Sequence, residues 1–570
     1  MFNLTAMKNT GAQILLKKLI EHNVSVVFEF PGGSICPILD ELYKYNKIKT
    51  IVFKHEQAAI HAADGYARIL MRPAVCMATS GPGASNLVTG IANAFMDSIP
   101  LVIITGQVAV RDLKKNRPIR QRGFQELDIV SVVRPITKAA YSAKRVSDLP
   151  GVIDKAFFIA SQGRPGPVLV DIPINLQYTQ SCRNVAAAKK YKQKALKCPG
   201  RIVKDTASQF AISKRPLIIS GGGVILSRAS SRLLGLLKSQ RLVVLETLMG
   251  LTSVPSDYEL NLGLVGYSGS RISEIALKEA DFVLGLGIRF DNRAFPQGSA
   301  AFSKNAYIVH VDCDRNEFNH RVIADRTAWA DVNWFLAEFN KKLGGLEILS
   351  KDCWRKRIKF LKRDSAPFSY ACGGNRLRPQ FILSKLSGML KKKNIIVTTD
   401  VGQHQLWTAQ HFNFYRENSL VTSGGLGAMG FGLPAAIGAN FADRKARVFN
   451  ITSDGSLQMN IQELATIRHY KLPIKIVLLN NKCLGLVRQI QEFAFDKRFE
   501  STLVNSEVDF VSIAKAYGIN AFSVESENKV EAALNELVNS RESLLVDFHI
   551  GRNENVYPIR IKGKTIYNAA

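Results

Sequence analysis

Short runs of β-branched and aliphatic residues recur along this chain, each followed by a stretch with helical apolar spacing. A parallel strand buried on both faces reads as a continuous apolar run, and its return to the same sheet needs a crossover helix. The alternation therefore predicts parallel sheets covered by helices on both faces. In the first part of the chain the predicted strands include 74–79, 100–105 and 167–171. In the middle they include 216–220, 241–246, 280–285 and 306–312, and in the last part 394–399, 447–452, 474–479 and 543–548. The predicted fold class is α/β, with three doubly wound parallel-sheet domains.

At 570 residues the chain exceeds what one hydrophobic core organises. Residues 181–200 are polar and basic and close on Pro199-Gly200, the composition of a linker. Residues 351–363 carry the pattern of a charged helix, and 365–379, with Pro367, Gly373, Gly374 and Pro379, read as a second connection. The expected domains are 1–180, 200–350 and 375–570, each of ordinary size. Thr10 is positioned to cap a helix with Ile14, Leu15, Leu19 and Ile20 on one face, followed directly by a strand. The fold is thus expected to begin near the first residue, without a signal peptide or transit sequence.

No uninterrupted apolar run of roughly 18 residues predicts a membrane span. Eight cysteines without a CxxC pair suggest neither a zinc site nor a disulfide framework, and a reducing cytoplasm fits them. The 76 Lys and Arg against 47 Asp and Glu leave a formal charge of +29. A nucleic-acid or membrane partner is one reading of that excess. The basic residues are dispersed, as in 189–197 and 355–363, rather than interleaved with aromatics on a platform. Drift in surface composition is the simpler reading, and neither nucleic acid nor membrane is expected as a partner.

Three segments carry candidate chemistry. The first is Lys54-His55-Glu56-Gln57-Ala58-Ala59, ahead of a helix containing Asp64-Gly65-Tyr66-Ala67-Arg68. Alone, Glu56 reads equally as a charge favouring a helix N-terminus. The second is Ser423-Gly424-Gly425-Leu426-Gly427-Ala428-Met429-Gly430-Phe431-Gly432-Leu433-Pro434, whose glycines imply close backbone approach to a ligand or tight helix packing. The third is a predicted strand ending in Thr452-Ser453-Asp454-Gly455-Ser456, with the next ending in Leu479-Asn480-Asn481. Open α/β sheets bind ligands outside the carboxyl ends of their strands. Asp454 and Asn481, 27 positions apart, offer a carboxylate and an amide oxygen there. With a backbone carbonyl just beyond Asn481, they suit Mg²⁺, whose shell two ligand phosphates and a water would complete. Taken separately, Asp454 reads as a helix cap and Asn481 as a turn former.

An Asp-Gly followed some thirty residues later by Asn-Asn, each at a strand end, resembles the diphosphate-binding motif of thiamine-diphosphate enzymes. Further segments narrow the resemblance to the acetohydroxyacid synthase (acetolactate synthase) catalytic subunit. They are Pro31-Gly32-Gly33, His55-Glu56-Gln57, Thr79-Ser80-Gly81-Pro82-Gly83-Ala84, Met96-Asp97-Ser98-Ile99-Pro100, Gly163-Arg164-Pro165-Gly166-Pro167, Asp400-Val401-Gly402-Gln403-His404-Gln405 and Gln458-Met459-Asn460-Ile461-Gln462-Glu463-Leu464. The chain is most similar to the bacterial form that works with a separate small regulatory subunit.

The resemblance implies the fold of that enzyme type, three cofactors (thiamine diphosphate, Mg²⁺ and FAD) and a homodimer as the smallest active unit. It implies that Glu56 hydrogen-bonds N1′ of the aminopyrimidine, that the Gly427 carbonyl receives the 4′-amine, and that Met429 props the cofactor in a bent shape. Asp454, Asn481 and the backbone oxygen of Cys483 would bind Mg²⁺, with Val401, Gln403 and His404 beside the diphosphate. Gln125, in Phe124-Gln125-Glu126, would help position substrate. Gly221-Gly222-Gly223, Arg289, Asp312 and Asp331 fall at the places of the family's FAD site, with Arg164 reaching in from the first domain. The triple glycine alone reads equally as a plain strand-to-helix turn. The implied reaction decarboxylates pyruvate and joins the remaining two-carbon unit to pyruvate or 2-oxobutyrate, the first common step toward the branched-chain amino acids, with FAD in a structural role.

Several positions depart from the family's pattern. Ser453 and Ser34 replace a usual Gly and Ala, and Ser268 replaces a usual His. The segment 111–123 is about six residues longer than usual and carries Arg111, Lys114, Lys115, Arg117, Arg120 and Arg122, which either displaces Gln125 or forms an exposed loop. Ile490 replaces a usual Trp, which implies weaker preference for 2-oxobutyrate and lower sensitivity to the herbicides that the ring anchors. Two alternatives remain at this point: a catalytically impaired scaffold subunit of the same fold, and another thiamine-diphosphate carboligase. The intact Glu56 speaks against glyoxylate carboligase.

Overall fold

The computed structural model describes residues 9–45, 47–114, 118–181, 191, 196–364, 377–503, 507–561 and 563–567. Most of the two expected connections, and positions 115–117 of the basic segment, lie outside them. At the start, Thr10 caps the helix Gly11–Glu21 in a capping box with Gln13, as its position suggested.

The strand β1 (Val26–Phe30) follows and opens a six-stranded sheet with β2 (Lys49–Val52), β3 (Ala74–Ala78), β4 (Leu101–Gln107), β5 (Ala139–Ser142) and β6 (Val168–Pro173). The second sheet comprises β7 (Pro216–Ser220), β8 (Val243–Glu246), β9 (Asn261–Leu264), β10 (Phe282–Leu286), β11 (Tyr307–Asp312) and β12 (Arg326–Trp329). The third comprises β13 (Ile395–Thr399), β14 (Leu420–Thr422), β15 (Arg447–Ser453), β16 (Lys475–Asn480), β17 (Asn520–Val524) and β18 (Leu544–His549). Every strand expected from the apolar runs is present, with ends within two residues of the expectation.

The registered pairings within these sheets are parallel. The strand orders are β2-β1-β3-β4-β6-β5, β12-β11-β10-β7-β8-β9 and β14-β13-β15-β16-β18-β17. The first and third share one winding. The middle one has the dinucleotide-binding order, in which the first strand lies beside the fourth. Besides doubling back at one edge of the first and third sheets, from β5 to β6 and from β17 to β18, the winding reverses at one central place in each sheet: between β1 and β3, between β7 and β10, and between β13 and β15. Crossovers on either side of a reversal go to opposite faces, which opens a crevice at the carboxyl ends of those two strands.

The described residues form two compact units. The first holds Met1–Gln193 with Ser423–Val448 and Met459–Ile474. Its core is built on the first sheet, from Leu15, Leu19, Val75, Val102 and Val170 among others. In the same unit the helix Gly432–Ala442 packs on the helix Glu56–Leu70. A Cβ at Gly438 would stand 1.8 Å from the Ala62 carbonyl oxygen, so only glycine permits this approach. The second unit holds Lys194–Thr422, Phe449–Gln458 and Lys475–Ala570, with the second and third sheets apart from Arg447 and Val448. It ends in a small antiparallel hairpin of β19 (Ile559–Ile561) and β20 (Lys564–Ile566). Among the described residues no helix is long and apolar enough to cross a membrane.

Candidate active site

In the first unit the crevice between β1 and β3 is lined by two loops tied to each other. Ser34 Oγ lies 2.8 Å from Thr79 Oγ1 and accepts a hydrogen bond from Ser80 N at 2.8 Å. The Ser34 hydroxyl therefore fastens the Pro31–Ser34 turn to the Thr79–Ala84 loop, a bond that an alanine could not make. Glu56 begins the helix Glu56–Leu70, with His55 as N-cap accepting from Gln57 N. Its carboxylate is buried, and Oε2 accepts from Asn86 Nδ2 at 2.9 Å. A Cβ at Gly83 would come to 3.2 Å from Oε1, so the glycine leaves that oxygen room for a ligand. The same loop touches Gln125: a Cβ on Gly81, whose φ is +59°, would meet the Gln125 carbonyl oxygen at 2.9 Å. One loop thus brings Glu56 and Gln125 to a common edge.

The basic segment beside Gln125 is exposed at 118–122. The Glu126 carboxylate closes its base by accepting from the backbone N–H groups of Lys114, Arg122 and Gly123. The described part of the insertion is a surface loop, and Gln125 stays against the Thr79–Ala84 loop.

The glycine-rich segment, also in this unit, is held by a buried polar network. Asp97 Oδ1 accepts from Gly425 N at 2.6 Å, and Oδ2 accepts from Gly424 N at 3.1 Å and from Arg68 Nη2 at 2.9 Å. Arg68 also pairs with Asp64, to which Asn93 donates. Ser423 Oγ donates to Asn93 Oδ1 and accepts from Ala428 N. At the far end the Gly430 carbonyl accepts from Asn460 Nδ2 at 2.7 Å. Gly427, with φ +79°, and half-buried Met429 lie on the stretch between these anchors. Asp64, Arg68, Asn93, Asp97 and Ser423 had no role assigned from sequence. The Asp64/Arg68 pair, four residues apart in a helix otherwise rich in alanine, was the legible signal, because buried charges occur in pairs. Arg164 donates from Nε to Ser98 Oγ at 2.8 Å.

In the second unit the ends of β15 and β16 lie side by side, with Ser453 opposite Leu479. Asp454 is wholly buried at the start of the helix Asp454–Met459, and Asn481 follows β16 directly. Asn481 Oδ1 accepts from Cys483 N at 3.2 Å, so this residue does shape the turn, while the second lone pair of that oxygen stays available. Burial pushes the Cys483 thiol up to about 11, which leaves its backbone carbonyl as the group suited to a hard cation. Among the described residues no three His, Cys, Asp or Glu side chains form a metal cluster. A metal here relies on one carboxylate aided by neutral oxygens, a donor set that fits Mg²⁺. Ser453 lies outside the left-handed region, so the strand end takes a serine without backbone strain.

At the end of β13, Asp400 accepts from Thr452 Oγ1 at 2.6 Å, which ties the two strands that flank the crevice. Ser456 Oγ donates to the Val401 carbonyl. Gln403 and His404 start the helix Gln403–His411 beneath it. The His404 ring is buried, neither nitrogen is hydrogen-bonded within the described protein, and burial lowers it to about 3. A buried polar ring of this kind beside a crevice fits a polar ligand such as a diphosphate.

The crevice of the second sheet is closed at its base by glycines. A Cβ at Gly221 would meet the Gly287 carbonyl oxygen at 2.1 Å, so the loops after β7 and β10 touch backbone to backbone. Gly222 follows at the start of a helix, and Arg289 lies beyond Gly287, near Asp291. Asp312 ends β11 and accepts from Asp314 N, whereas Asp331 caps the helix Val332–Leu343 through Trp334 N. A buried carboxylate without an assigned role stands at the end of β8. Glu246 accepts from Ser253 Oγ, Val254 N and Asn261 Nδ2, and burial pushes it up to about 7. Ser268 is buried, and its carbonyl accepts from Gln410 Nε2.

Three thiamine pyrophosphate (thiamine diphosphate) enzyme families match this arrangement: the N-terminal TPP binding domain at residues 9–132, the central domain at 203–339 and the C-terminal TPP binding domain at 400–548. The acetolactate synthase isozyme 2 large subunit of Escherichia coli (strain K12) is 37% identical over 549 residues, covering 96% of this chain and 97% of the relative. The chain belongs to the acetolactate synthase large-subunit family. Similar figures hold for other acetolactate synthase large subunits. The one from Lactococcus lactis subsp. lactis is 35% identical over 96% of this chain and 94% of its own length. A probable one from Methanocaldococcus jannaschii is 38% identical over 97% and 96%. Membership makes the chain a thiamine-diphosphate-dependent carboligase.

Proposed function

We propose that this chain is the catalytic subunit of an acetolactate synthase, acting on pyruvate and on pyruvate or 2-oxobutyrate as second substrate. The observation that carries the reading is that Asp454 and Asn481 end adjoining strands, β15 and β16, the first of which flanks the central winding reversal of the third sheet. Asp454, the Asn481 amide oxygen and the Cys483 carbonyl bind Mg²⁺, with Val401, Gln403 and His404 around the diphosphate. When bound, thiamine diphosphate supplies the carbon nucleophile for decarboxylation and for joining the two-carbon unit to the second 2-oxoacid.

Glu56 holds and returns a proton at N1′ of the aminopyrimidine through Oε1, while Asn86 fixes the other oxygen. The Gly427 carbonyl would accept from the 4′-amine, and Met429 would serve as an apolar prop against the cofactor. Gln125, against the loop that also backs Glu56, helps position substrate. FAD would be held at the middle sheet's crevice by Gly222, Arg289, Asp312 and Asp331, in a structural role. We take the domains as 1–180, 200–350 and 375–570, the working assembly as a homodimer in which Glu56 meets the metal site across the subunit boundary, and a small regulatory subunit as partner.

The test is an assay of the purified protein with pyruvate, Mg²⁺, thiamine diphosphate and FAD, scoring acetolactate against acetaldehyde. Acetolactate is the expected product, and Glu56→Gln is expected to lower its formation by about 100-fold or more. No product, even with a regulatory subunit added, would overturn the reading in favour of a scaffold subunit.

A further inference from the structure

We propose that the Asn481 amide is oriented by a buried relay through Gln403 and Gln489 that ends on the C-terminal segment 554–556, making that segment part of the metal-binding apparatus. The inference rests on the metal site proposed above. An asparagine binds a cation only through Oδ1, yet its amide occupies nearly the same space when turned by half a revolution. Something must choose between the two orientations.

Asn481 Nδ2 donates to Gln403 Oε1 at 3.2 Å. Gln403 is itself fixed, because its Nε2 donates to the Glu554 carbonyl at 2.9 Å and to Gln489 Oε1 at 3.0 Å. A main-chain carbonyl accepts and never donates, so this contact dictates which end of the Gln403 amide faces Asn481. Gln489 is fixed twice over: Nε2 donates to the Val556 carbonyl at 2.9 Å, and Oε1 accepts from Val556 N at 3.0 Å. Turning it would set N–H against N–H and carbonyl against carbonyl. The orientation of Asn481 is thus specified jointly, by the neighbouring Cys483 N–H donating to Oδ1 and by two main-chain carbonyls more than 70 residues away in sequence.

Each amide in the relay is buried: Asn481 at 6% exposure, Gln403 at 4% and Gln489 at 0%. Water is therefore a poor substitute for a lost partner. The chain also keeps the space clear, since a Cβ at Gly485 would lie 2.0 Å from Gln403 Oε1. The strap is held in turn by Arg488, which binds Asn555 Oδ1 and Glu492, and by Trp407 Nε1 donating to the Asn555 carbonyl. Beyond it, β19 and β20 dock on the middle sheet's helix Arg271–Glu279, where Thr565 and Tyr567 donate to Glu274.

Gln489 is a positioning residue in this account, and two variants test it. Gln489→Leu cuts the branch of the relay that ends on Val556, and Gln489→Glu keeps the shape but places a carboxylate against the Val556 carbonyl. Binding of Mn²⁺ in place of Mg²⁺, with thiamine diphosphate present, is read from the free-ion electron paramagnetic resonance signal. Either folded variant is expected to raise the Mn²⁺ dissociation constant by about tenfold or more. The Mg²⁺ concentration for half-maximal activity should rise in step, while kcat at saturating Mg²⁺ stays near that of the parent protein. Asp454→Ala is the control. If it abolishes Mn²⁺ binding while both Gln489 variants bind as the parent does, the relay is overturned and the metal site stands. If Asp454→Ala binds Mn²⁺ unchanged, the metal site falls and the relay with it.

Discussion

Replacing Asp97 by asparagine isolates what holds the glycine-rich segment in place. Both carboxylate oxygens face donors: Gly425 N on one, and Gly424 N with Arg68 Nη2 on the other. Whichever way an asparagine amide turned, its NH₂ would meet an N–H, so at least one bond becomes a donor–donor clash. Arg68, 6% exposed, would lose one of its two carboxylate partners and keep Asp64. Hydrogen bonds to charged groups contribute about 1.5–3 kcal/mol each, and breaking a buried ion pair costs about 3–5 kcal/mol. We expect Asp97→Asn to destabilise the first unit by about 3–5 kcal/mol. At roughly 2–4 °C per kcal/mol for a domain of that size, its thermal transition should fall by about 10 °C. Because the freed amides belong to the loop carrying Gly427 and Met429, thiamine diphosphate affinity should drop as well. Scanning calorimetry, with cofactor titrations followed by near-ultraviolet circular dichroism, measures both. A transition within 2 °C of the parent (less than about 1 kcal/mol), together with unchanged cofactor affinity, would falsify the claim that Asp97 clamps this loop.

Glu463 gives a pH-dependent prediction. Burial pushes its carboxyl up from an ordinary 4.5 to about 7, against hydrogen bonds from Thr466 Oγ1 and Lys54 N. A folded value above the unfolded one means a contribution that is present below about pH 4.5 and lost as pH rises through about 7, worth roughly 3 kcal/mol in all. Glu463→Gln mimics the protonated form, so it should match the parent near pH 5 and exceed it by about 3 kcal/mol at pH 8. Parallel stability curves across that range would sink the argument. At the other site, Ile490 is half-buried against the third sheet's core, and Ile490→Trp should raise the preference for 2-oxobutyrate over pyruvate by about tenfold in a competition assay. An unchanged product ratio would count against a specificity role for this position.

The central strands were legible because they are buried on both faces: β3, β7, β10 and β13 are buried at every position, and their apolar runs are continuous. Apart from β1, expected only as the strand after the first helix, the strands of the three sheets that those runs did not reveal are the six edges, β2, β5, β9, β12, β14 and β17. Edge strands are half-exposed, as in β5 and β12, and their mixed sequences carry no such run. A similar division applies to the site. Asp454 and Asn481 were readable because each sits at the end of a central strand, where topology alone makes a residue a ligand candidate. Asp97 and Gln489 were not, because their partners lie hundreds of positions away or on main-chain atoms, and no spacing in the sequence encodes those contacts.

These hidden residues have one physical origin. A loop that lets a ligand approach its backbone must be poor in side chains, so it cannot be held by apolar packing. What it offers instead is N–H and C=O groups, and only polar side chains from beneath can grip those. Asp97 grips the amides of Gly424 and Gly425, and Glu246 grips Val254 N beside the triple glycine. Gln107 holds the Leu127 carbonyl two residues past Gln125, and is itself backed by Asp171, which burial pushes up to about 7. Gln403 holds the Glu554 carbonyl in the same manner. Each polar group buried this way costs desolvation free energy, and the cost is tolerated where a fixed backbone is what the site requires. Buried polar groups should therefore concentrate at the carboxyl ends of the sheets rather than along them. Thr105, Gln107, Asp171, Glu246, Asp312, Thr398, Thr399 and Thr452, all within the last three residues of their strands, are buried there, and the residues preceding them in β4, β6 and β8 are Leu, Val and Ile.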